Sequence, residues 1–147
     1  MAKATPDIIK IAEDYILSAT HRLPDVIERE SIHDAESDFT CFHTTPKPPN
    51  RDLASFVQNM KDYQTKGQIA NSYNFESDGW YVGDVAWVIS MLKGVFPDGF
   101  LIDVRTTTVL RKVNGQWKVA HLHLSEPVAG TQHMTPKNAG QIPEYPA

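Results

Sequence analysis

Three Asx-Gly dipeptides constrain the fold of this chain more than any other feature of its sequence. They are Asp78-Gly79, Asp98-Gly99 and Asn114-Gly115, and each is typical of a tight turn between antiparallel strands. The stretches between them are rich in β-branched and aromatic residues, which predicts strands over residues 68–77, 80–93, 100–113 and 116–126. Strands of this length must twist, so we expect a curved antiparallel sheet.

The first half of the chain predicts three helices and one short strand. Residues 6–19 carry apolar side chains at three- and four-residue spacing, and Thr5 is suited to the N-cap. A second helix is predicted over residues 24–32, and Asp52 is expected to cap a third. Residues 38–44 alternate as a short strand. We expect an α+β fold, a cone-shaped sheet of four long strands and one short strand packed on three N-terminal helices.

Composition indicates one domain without a nucleic-acid or membrane role. At 147 residues the chain has the size of a single domain, which we expect over residues 1–127, with residues 128–147 as an extended arm. The net charge of -4 provides no basic surface for nucleic acid. No run approaches the roughly 20 apolar residues of a membrane helix. A single cysteine, Cys41, excludes an internal disulfide, and we expect a cytoplasmic protein.

The predicted strand over residues 80–93 is apolar on both of its faces. Alternation places Ala86, Val88 and Leu92 on one face and Trp87, Ile89 and Met91 on the other. A strand that is apolar on both faces is covered on both. Because the helices of so short a chain cover only the concave side of the sheet, we expect a homodimer through the convex face.

Two turn geometries are open at Asn114-Gly115. A two-residue turn places His121 opposite Thr108, whereas a three-residue turn with Gly115 in a bulge places Ala120 there. We favour the three-residue turn because it separates a mostly apolar face from a polar one. The apolar face would hold Val104, Thr106, Thr108, Leu110, Ala120, Leu122 and Leu124, and the polar face Asp103, Arg105, Thr107, His121, His123 and Ser125.

A family resemblance rests on the run WKVAHLHLS after a Lys-Val-Asn-Gly turn, and on VRTTTVLRK and GDVAWV before it. Over about residues 6–127 the chain resembles SnoaL-like proteins of the nuclear transport factor 2-like superfamily. It is also similar to ketosteroid isomerases and to the association domain of calcium/calmodulin-dependent kinase II. The resemblance implies a cone that binds a small hydrophobic ligand, but the superfamily includes enzymes and non-catalytic hubs. The anion-binding arginines of the hubs correspond here to Leu92, Thr108 and Leu124, which disfavours an anion-binding hub pocket.

Two candidate catalytic residues follow from the resemblance. Tyr15 falls where ketosteroid isomerases keep an oxyanion-donating tyrosine, and His43 falls near the position of their general base. The isomerases use a carboxylate as that base, and their second donor has no counterpart here. We expect a cofactor-independent isomerase, lyase or cyclase acting on a hydrophobic carbonyl compound; the alternative is a non-catalytic ligand-binding dimer or assembly hub. Tyr15 fits a core tyrosine equally well, and His43 fits a strand-end histidine bonded to the next loop.

The expected pocket is mostly apolar with a few polar groups, as small-molecule sites generally are. We expect the ligand to contact Asp84, Ala86, Val88, Ser90, Thr106, Thr108, Leu122 and Leu124. His121 and His123 present two imidazoles to one face of a strand. No further Cys, Glu or His joins them with recognisable spacing, so we predict no metal site.

Overall fold

The computed structural model describes residues 1–33, 38–42 and 52–127. Its helices are α1 (Pro6–Thr20), α2 (Pro24–Glu30) and α3 (Leu53–Thr65). Its strands are β1 (Ala2–Lys3), β2 (Thr40–Phe42), β3 (Asn71–Val82), β4 (Val85–Val95), β5 (Leu101–Val113) and β6 (Gln116–Ser125). The predicted α+β architecture is confirmed, and β1 is a strand that the sequence did not predict. His43 and the predicted arm over residues 128–147 lie outside the described residues.

The six strands form one curved, unclosed sheet in the order β1-β3-β4-β5-β6-β2. Neighbouring strands are antiparallel except β2, which runs parallel to β6. The β3–β4 register shifts between Tyr73 and Glu76, where Asn74 adopts a φ of 54°. The bulge bends β3 and strengthens its twist, which helps the sheet curve around the helices.

The core lies between the helices and the concave face of the sheet. Helix α1 contributes buried residues at the predicted spacing: Ile8, Ala12, Tyr15, Ile16 and Ala19. Helix α3 contributes Phe56, Val57 and Met60. The Asp52 carboxylate caps α3 as predicted, accepting the Ser55 N–H at 2.8 Å, whereas Thr5 occupies the N-cap position of α1 without a side-chain cap bond. No helix among the described residues is long and apolar enough to cross a membrane.

The predicted turn at Asp78-Gly79 is wrong, because this dipeptide lies within β3. The β3–β4 turn is Gly83-Asp84, where Gly83 has a φ of 55°. A Cβ atom at Gly79 would lie 2.8 Å from the Trp87 carbonyl oxygen and 3.1 Å from Ala4 Cβ. Glycine is therefore needed for the close approach of β4 and of the N-terminal segment to this position. The strands run over residues 71–82 and 85–95 instead of 68–77 and 80–93.

The other two predicted turns are confirmed, but the favoured geometry of the last one is wrong. At Asp98-Gly99 the glycine has a φ of 86°, and its N–H donates to the Phe96 carbonyl at 2.9 Å. At Asn114-Gly115 both residues have positive φ, 51° and 78°, and Val113 pairs directly with Gln116. Positive φ at both central positions is the two-residue type I′ geometry, which matches the twist of the strands.

A bulge at Ala120 resets the β5–β6 register. The pairing shifts between Val109 and Leu110, so that Thr108 lies opposite Leu122, which neither considered turn predicted. After this shift Leu122 and Leu124 share the concave face with Thr106 and Thr108, and His121, His123 and Ser125 share the other face with Arg105 and Thr107. The predicted separation of these residues is therefore correct, but a bulge inside β6 produces it.

Strand β4 is apolar on both faces, as predicted. Ala86, Val88 and Leu92 are buried against the helices, whereas Ile89 is 46% exposed and Met91 57% exposed on the convex face. No helix of the described chain packs on that face. The burial pattern thus leaves two large apolar side chains in solvent in the isolated chain.

Candidate ligand-binding site

An open cavity of about 580 Å³ lies between the helices and the sheet, beside the β4–β5 turn. We call it the end cavity. Its apolar wall is formed by Ala19, Phe56, Ala70, Phe96, Phe100, Ile102, Val104 and Leu124. Its polar side chains are those of Thr20, Arg22, Asn59, Tyr63, Gln68, Asp98 and Glu126. The cavity therefore combines an apolar wall with polar groups of both signs.

Helix α3 and the β4–β5 turn supply the aromatic part of this wall. Phe56, Asn59 and Tyr63 follow at three- and four-residue spacing and so share one face of α3. Phe96 and Phe100 flank the Asp98-Gly99 turn with ring centroids 6.4 Å apart. Phe100 is 62% exposed. Two phenylalanines at the tip of a turn place apolar surface at the rim of the cavity.

Arg22 lines the end cavity and lies just after the C-terminus of helix α1, which ends in a left-handed, non-glycine residue. The Leu23 N–H donates to the Ser18 carbonyl at 2.9 Å and the Arg22 N–H to the Ala19 carbonyl at 3.2 Å. Arg22 itself has a φ of 57°. This is a Schellman motif, in which the left-handed position is usually glycine. An arginine there accepts a steric cost that glycine avoids.

The Arg22 guanidinium is held by neutral groups. Its Nε donates to the Gln68 carbonyl at 2.9 Å and its Nη1 to the Ala19 carbonyl at 3.3 Å. Its Cζ lies 4.6 Å from the centre of the Tyr63 ring. Burial lowers the pKa of Arg22 from its ordinary value, but an arginine stays protonated at neutral pH. Within residues 1–33, 38–42 and 52–127 no carboxylate forms an ion pair with it.

Leu124 is the one predicted ligand residue that lines the end cavity. The others lie elsewhere in the described structure. Ala86, Val88, Ser90, Thr106, Thr108 and Leu122 are buried on the concave face of the sheet as part of the core. Asp84 is exposed in the β3–β4 turn, where its backbone carbonyl accepts the Lys112 N–H at 2.7 Å. Asp84 is thus a residue of the turn and lines neither cavity found in the described structure.

A row of hydroxyl groups crosses the concave face of the sheet. Ser77, Ser90 and Thr106 occupy paired positions on β3, β4 and β5, and the two serine Oγ atoms are 2.8 Å apart. The Oγ1 atoms of Thr106 and Thr108 are buried, and among the described residues neither has a hydrogen-bond partner. Buried hydroxyls without partners destabilise a folded protein unless something else binds them.

Tyr15 lies in the core, on helix α1. It is 2% exposed, and its hydroxyl is 2.6 Å from Ser31 Oγ, which donates to the Ile27 carbonyl. Since the Ser31 proton is used by that carbonyl, the Tyr15 hydroxyl donates to Ser31. Burial raises the pKa of Tyr15 well above its ordinary value. The ring packs against Phe39 at 6.3 Å. Tyr15 lines neither cavity found in the described structure, and His43 lies outside the described residues.

Cys41 is buried on the short strand β2. Burial raises the pKa of its thiol to about 12. The nucleophilic form of a cysteine is the thiolate. Burial therefore disfavours the nucleophilic thiolate of Cys41 at neutral pH.

A second depression, of about 620 Å³, lies on the convex side of the sheet. We call it the convex groove. It is lined by Glu76, Ser77, Asp78, Ile89, Ser90, Met91, Arg105, Thr106, Thr107, His123 and Ser125, which include the predicted ligand residues Ser90 and Thr106. Next to it, the Nδ1 of His121 is 2.8 Å from Thr40 Oγ1, and burial, followed by the nearby His123, lowers the pKa of His121. The described residues contain no group of three or more His, Cys, Asp or Glu placed to hold a metal.

Sequence reasoning missed Arg22 and the aromatic rim of the end cavity. The segment FPDGF carried a signal, because phenylalanines on both sides of an Asp-Gly turn are not needed for the turn itself. The spacing of Phe56, Asn59 and Tyr63 carried another. Nothing in the sequence around Arg22 predicted that it lines a cavity, because its position there depends on how helix α1 ends.

Comparison with known proteins identifies the family. Residues 25–129 match the SnoaL-like domain. No curated protein matches the sequence. Among solved structures, a proposed dehydratase of the nuclear transport factor 2-like family from Streptomyces avermitilis has a TM-score of 0.68 at 17% identity, over 85% of this chain and 100% of that one.

Two further structures share the fold. A proposed ketosteroid isomerase from Parabacteroides distasonis has a TM-score of 0.60 at 17% identity, over 83% of this chain and 86% of that one. A proposed calcium/calmodulin dependent protein kinase II association domain from Xanthomonas campestris has a TM-score of 0.64 at 12% identity, over 88% of this chain and 97% of that one. At these identities the likeness shows the fold, and with the domain match it confirms the predicted superfamily: the chain belongs to the SnoaL-like domain family.

Proposed function

We propose that this SnoaL-like protein binds a small, mainly apolar molecule in the end cavity. The observation that carries the proposal is the cavity itself, about 580 Å³ with a wall of aromatic and aliphatic side chains. Ligand pockets generally fall between about 300 and 1,000 Å³ and combine an apolar lining with a few polar groups. The proposed ligand is therefore the size of two or three fused rings or a medium-length acyl chain.

Filling the cavity tests the proposal. A Leu124→Trp variant adds a large ring to the cavity wall, and Leu101→Trp adds the same ring to a 63% exposed position that does not line the cavity. The neutral fluorophore N-phenyl-1-naphthylamine serves as the probe. We expect wild type and Leu101→Trp to bind it alike and Leu124→Trp to bind it at least about tenfold more weakly, because its apolar area can no longer be buried. Equal binding by Leu124→Trp contradicts the proposal.

A second candidate function is a cofactor-independent isomerase, lyase or cyclase acting on a hydrophobic carbonyl compound at Tyr15 and His43. It is favoured by the fold shared with the proposed dehydratase and the proposed ketosteroid isomerase. To donate to a substrate oxygen, the Tyr15 hydroxyl would have to leave Ser31. Turnover of a ketosteroid or a related carbonyl substrate by wild type, lost in Tyr15→Phe and His43→Ala, would support it. Unchanged turnover in both variants excludes these residues as the catalytic pair.

A second copy of the chain is our proposed occupant of the convex face. The proposal is supported by the exposed Ile89 and Met91 and by the fold shared with the proposed association domain. A lysine at position 91 would bury a charge in such an interface. We expect wild type to have the mass of a dimer by light scattering, Met91→Lys that of a monomer, and Leu23→Lys, which changes an exposed leucine before α2, that of a dimer. A monomeric wild type refutes it.

A further inference from the structure

We propose that the ligand of the end cavity is an organic acid whose carboxylate binds Arg22 while its apolar body contacts the aromatic wall. The inference rests on the proposed function, because it names the chemical class of the molecule that the cavity takes. It differs from the sequence-based expectation, in which the three positions of the hub arginines are not arginine and an anion was disfavoured. The positive charge enters this cavity from the end of helix α1.

The backbone at Arg22 is left-handed although the residue is not glycine. The Schellman motif at the end of α1 needs a left-handed residue, and Arg22 adopts it with a φ of 57°. Glycine would make the same two backbone hydrogen bonds without the steric cost. Ending the helix therefore does not require an arginine. Strained, non-glycine backbone of this kind is concentrated at functional sites.

The guanidinium of the half-buried Arg22 makes only part of its possible hydrogen bonds within the described protein. An arginine has five N–H donors, and here one is used by the Gln68 carbonyl and one by the Ala19 carbonyl. The remaining three have no partner in the described part of the chain. Because the two carbonyls and the Tyr63 ring fix the plane of the group, it is oriented before any ligand arrives. A planar, fixed guanidinium is well suited to bind a carboxylate through two parallel hydrogen bonds.

The acidic residues of the cavity, Asp98 and Glu126, would repel an anion placed near them. Asp98 lies in the β4–β5 turn, where its Oδ1 accepts the Phe100 N–H at 3.0 Å. Glu126 follows β6, which is three strands from β3 in the sheet, a separation of roughly 14 Å along the sheet at the usual strand spacing. Arg22 is anchored at the other side, to Gln68 just before β3. A head group bound to Arg22 would therefore lie on the β3 side of the cavity, whereas Glu126 lies on the β6 side.

The experiment compares two fluorescent probes of the same shape, 2-naphthylacetate and its neutral analogue 2-naphthylacetamide, on three proteins. Wild type is compared with Arg22→Gly, which removes the guanidinium and relieves the left-handed strain. The control is Arg29→Gln, which removes the same charge from an exposed site on α2. Thermal unfolding of each variant is measured alongside, so that a loss of binding is not confused with a loss of folding.

We expect wild type and Arg29→Gln to bind the acid at least about tenfold more tightly than the amide, as a charge-assisted pair of hydrogen bonds allows. Arg22→Gly should bind both probes with the affinity of the amide and should melt no lower than wild type. Equal binding of acid and amide by wild type overturns the inference, and so does an acid preference that survives in Arg22→Gly. If neither naphthyl probe binds, the inference also fails. The proposed function fails separately, through the N-phenyl-1-naphthylamine test.

Discussion

Replacing Thr108 by valine should stabilise this protein. Thr108 is fully buried on β5, and its Oγ1 has no partner among the described residues. In the unfolded chain that hydroxyl is hydrated, so folding loses its hydrogen bonds to water without replacing them. A buried, unsatisfied hydroxyl costs about 1–3 kcal/mol. Valine has nearly the same shape, which means that the substitution opens no cavity.

The expected gain in unfolding free energy is about 1–2 kcal/mol for Thr108→Val, because valine removes the hydroxyl and keeps the packing. For a domain of this size that corresponds to a rise in Tm of about 3–6 °C. Urea unfolding followed by tryptophan fluorescence gives the free energy, and calorimetry gives Tm. The control is Thr107→Val, a half-buried neighbour on the convex face, for which we expect a change within about 0.5 kcal/mol.

If Thr108→Val lowers the unfolding free energy by about 1 kcal/mol or more, the reasoning is refuted, because the Thr108 hydroxyl would then be hydrogen-bonded in the folded protein. An equal rise in unfolding free energy in Thr108→Val and Thr107→Val would also refute it. It would show that valine stabilises these strands through β-propensity alone, and not through removal of a buried polar group.

Three further predictions follow from the described contacts. Gly79→Ala should lower the unfolding free energy by about 1–3 kcal/mol, because its Cβ would meet the Trp87 carbonyl oxygen at 2.8 Å, and an unchanged urea midpoint would contradict that approach. Asp52→Ala should lower the unfolding free energy by about 1 kcal/mol, because it removes the hydrogen bond from the Ser55 N–H that caps α3. Asp52→Asn keeps an acceptor oxygen and should lower the unfolding free energy less, and urea unfolding measures both. Burial should hold the pKa of His121 below the ordinary 6.5. Because the unfolded chain then binds a proton that the folded protein does not, the unfolding free energy should fall as pH drops from 6.5 toward the lowered pKa. NMR titration of the imidazole measures this pKa, and an ordinary value would contradict the burial.

Local patterns predicted the elements of this fold well where local physics decides them. The apolar spacing of residues 6–19 identified α1, and Asp52 marked the start of α3. The turns at residues 98–99 and 114–115 need positive φ at Gly99, Asn114 and Gly115, and glycine and asparagine adopt it readily. In each case the side chain and the backbone conformation that it favours lie within a few residues of each other, so the local sequence is enough to predict the element.

Contacts between distant segments explain the errors. The dipeptide Asp78-Gly79 has the same composition as a turn, but its glycine is required by the close approach of Trp87 and Val88 on β4 and of Ala4 in the N-terminal segment. The Ala120 bulge depends on matching two apolar faces after a two-residue turn, which is a property of the assembled sheet. The end cavity is built from α1, α3 and two strand ends. Arg22 enters it only because α1 ends in a left-handed residue.

The two-residue strand β1 has a consequence for how the protein is handled in solution. It pairs with Trp80 and Tyr81 at one edge of the sheet, and an uncovered edge strand is a template for pairing between molecules. The bulge at Asn74 and the acidic side chains of Glu76 and Asp78 lie along the same strand. Deleting residues 1–4 or replacing them with a tag would remove the cover from the tryptophan-bearing end of β3. Soluble expression and resistance to aggregation should therefore depend on keeping residues 1–4 in place.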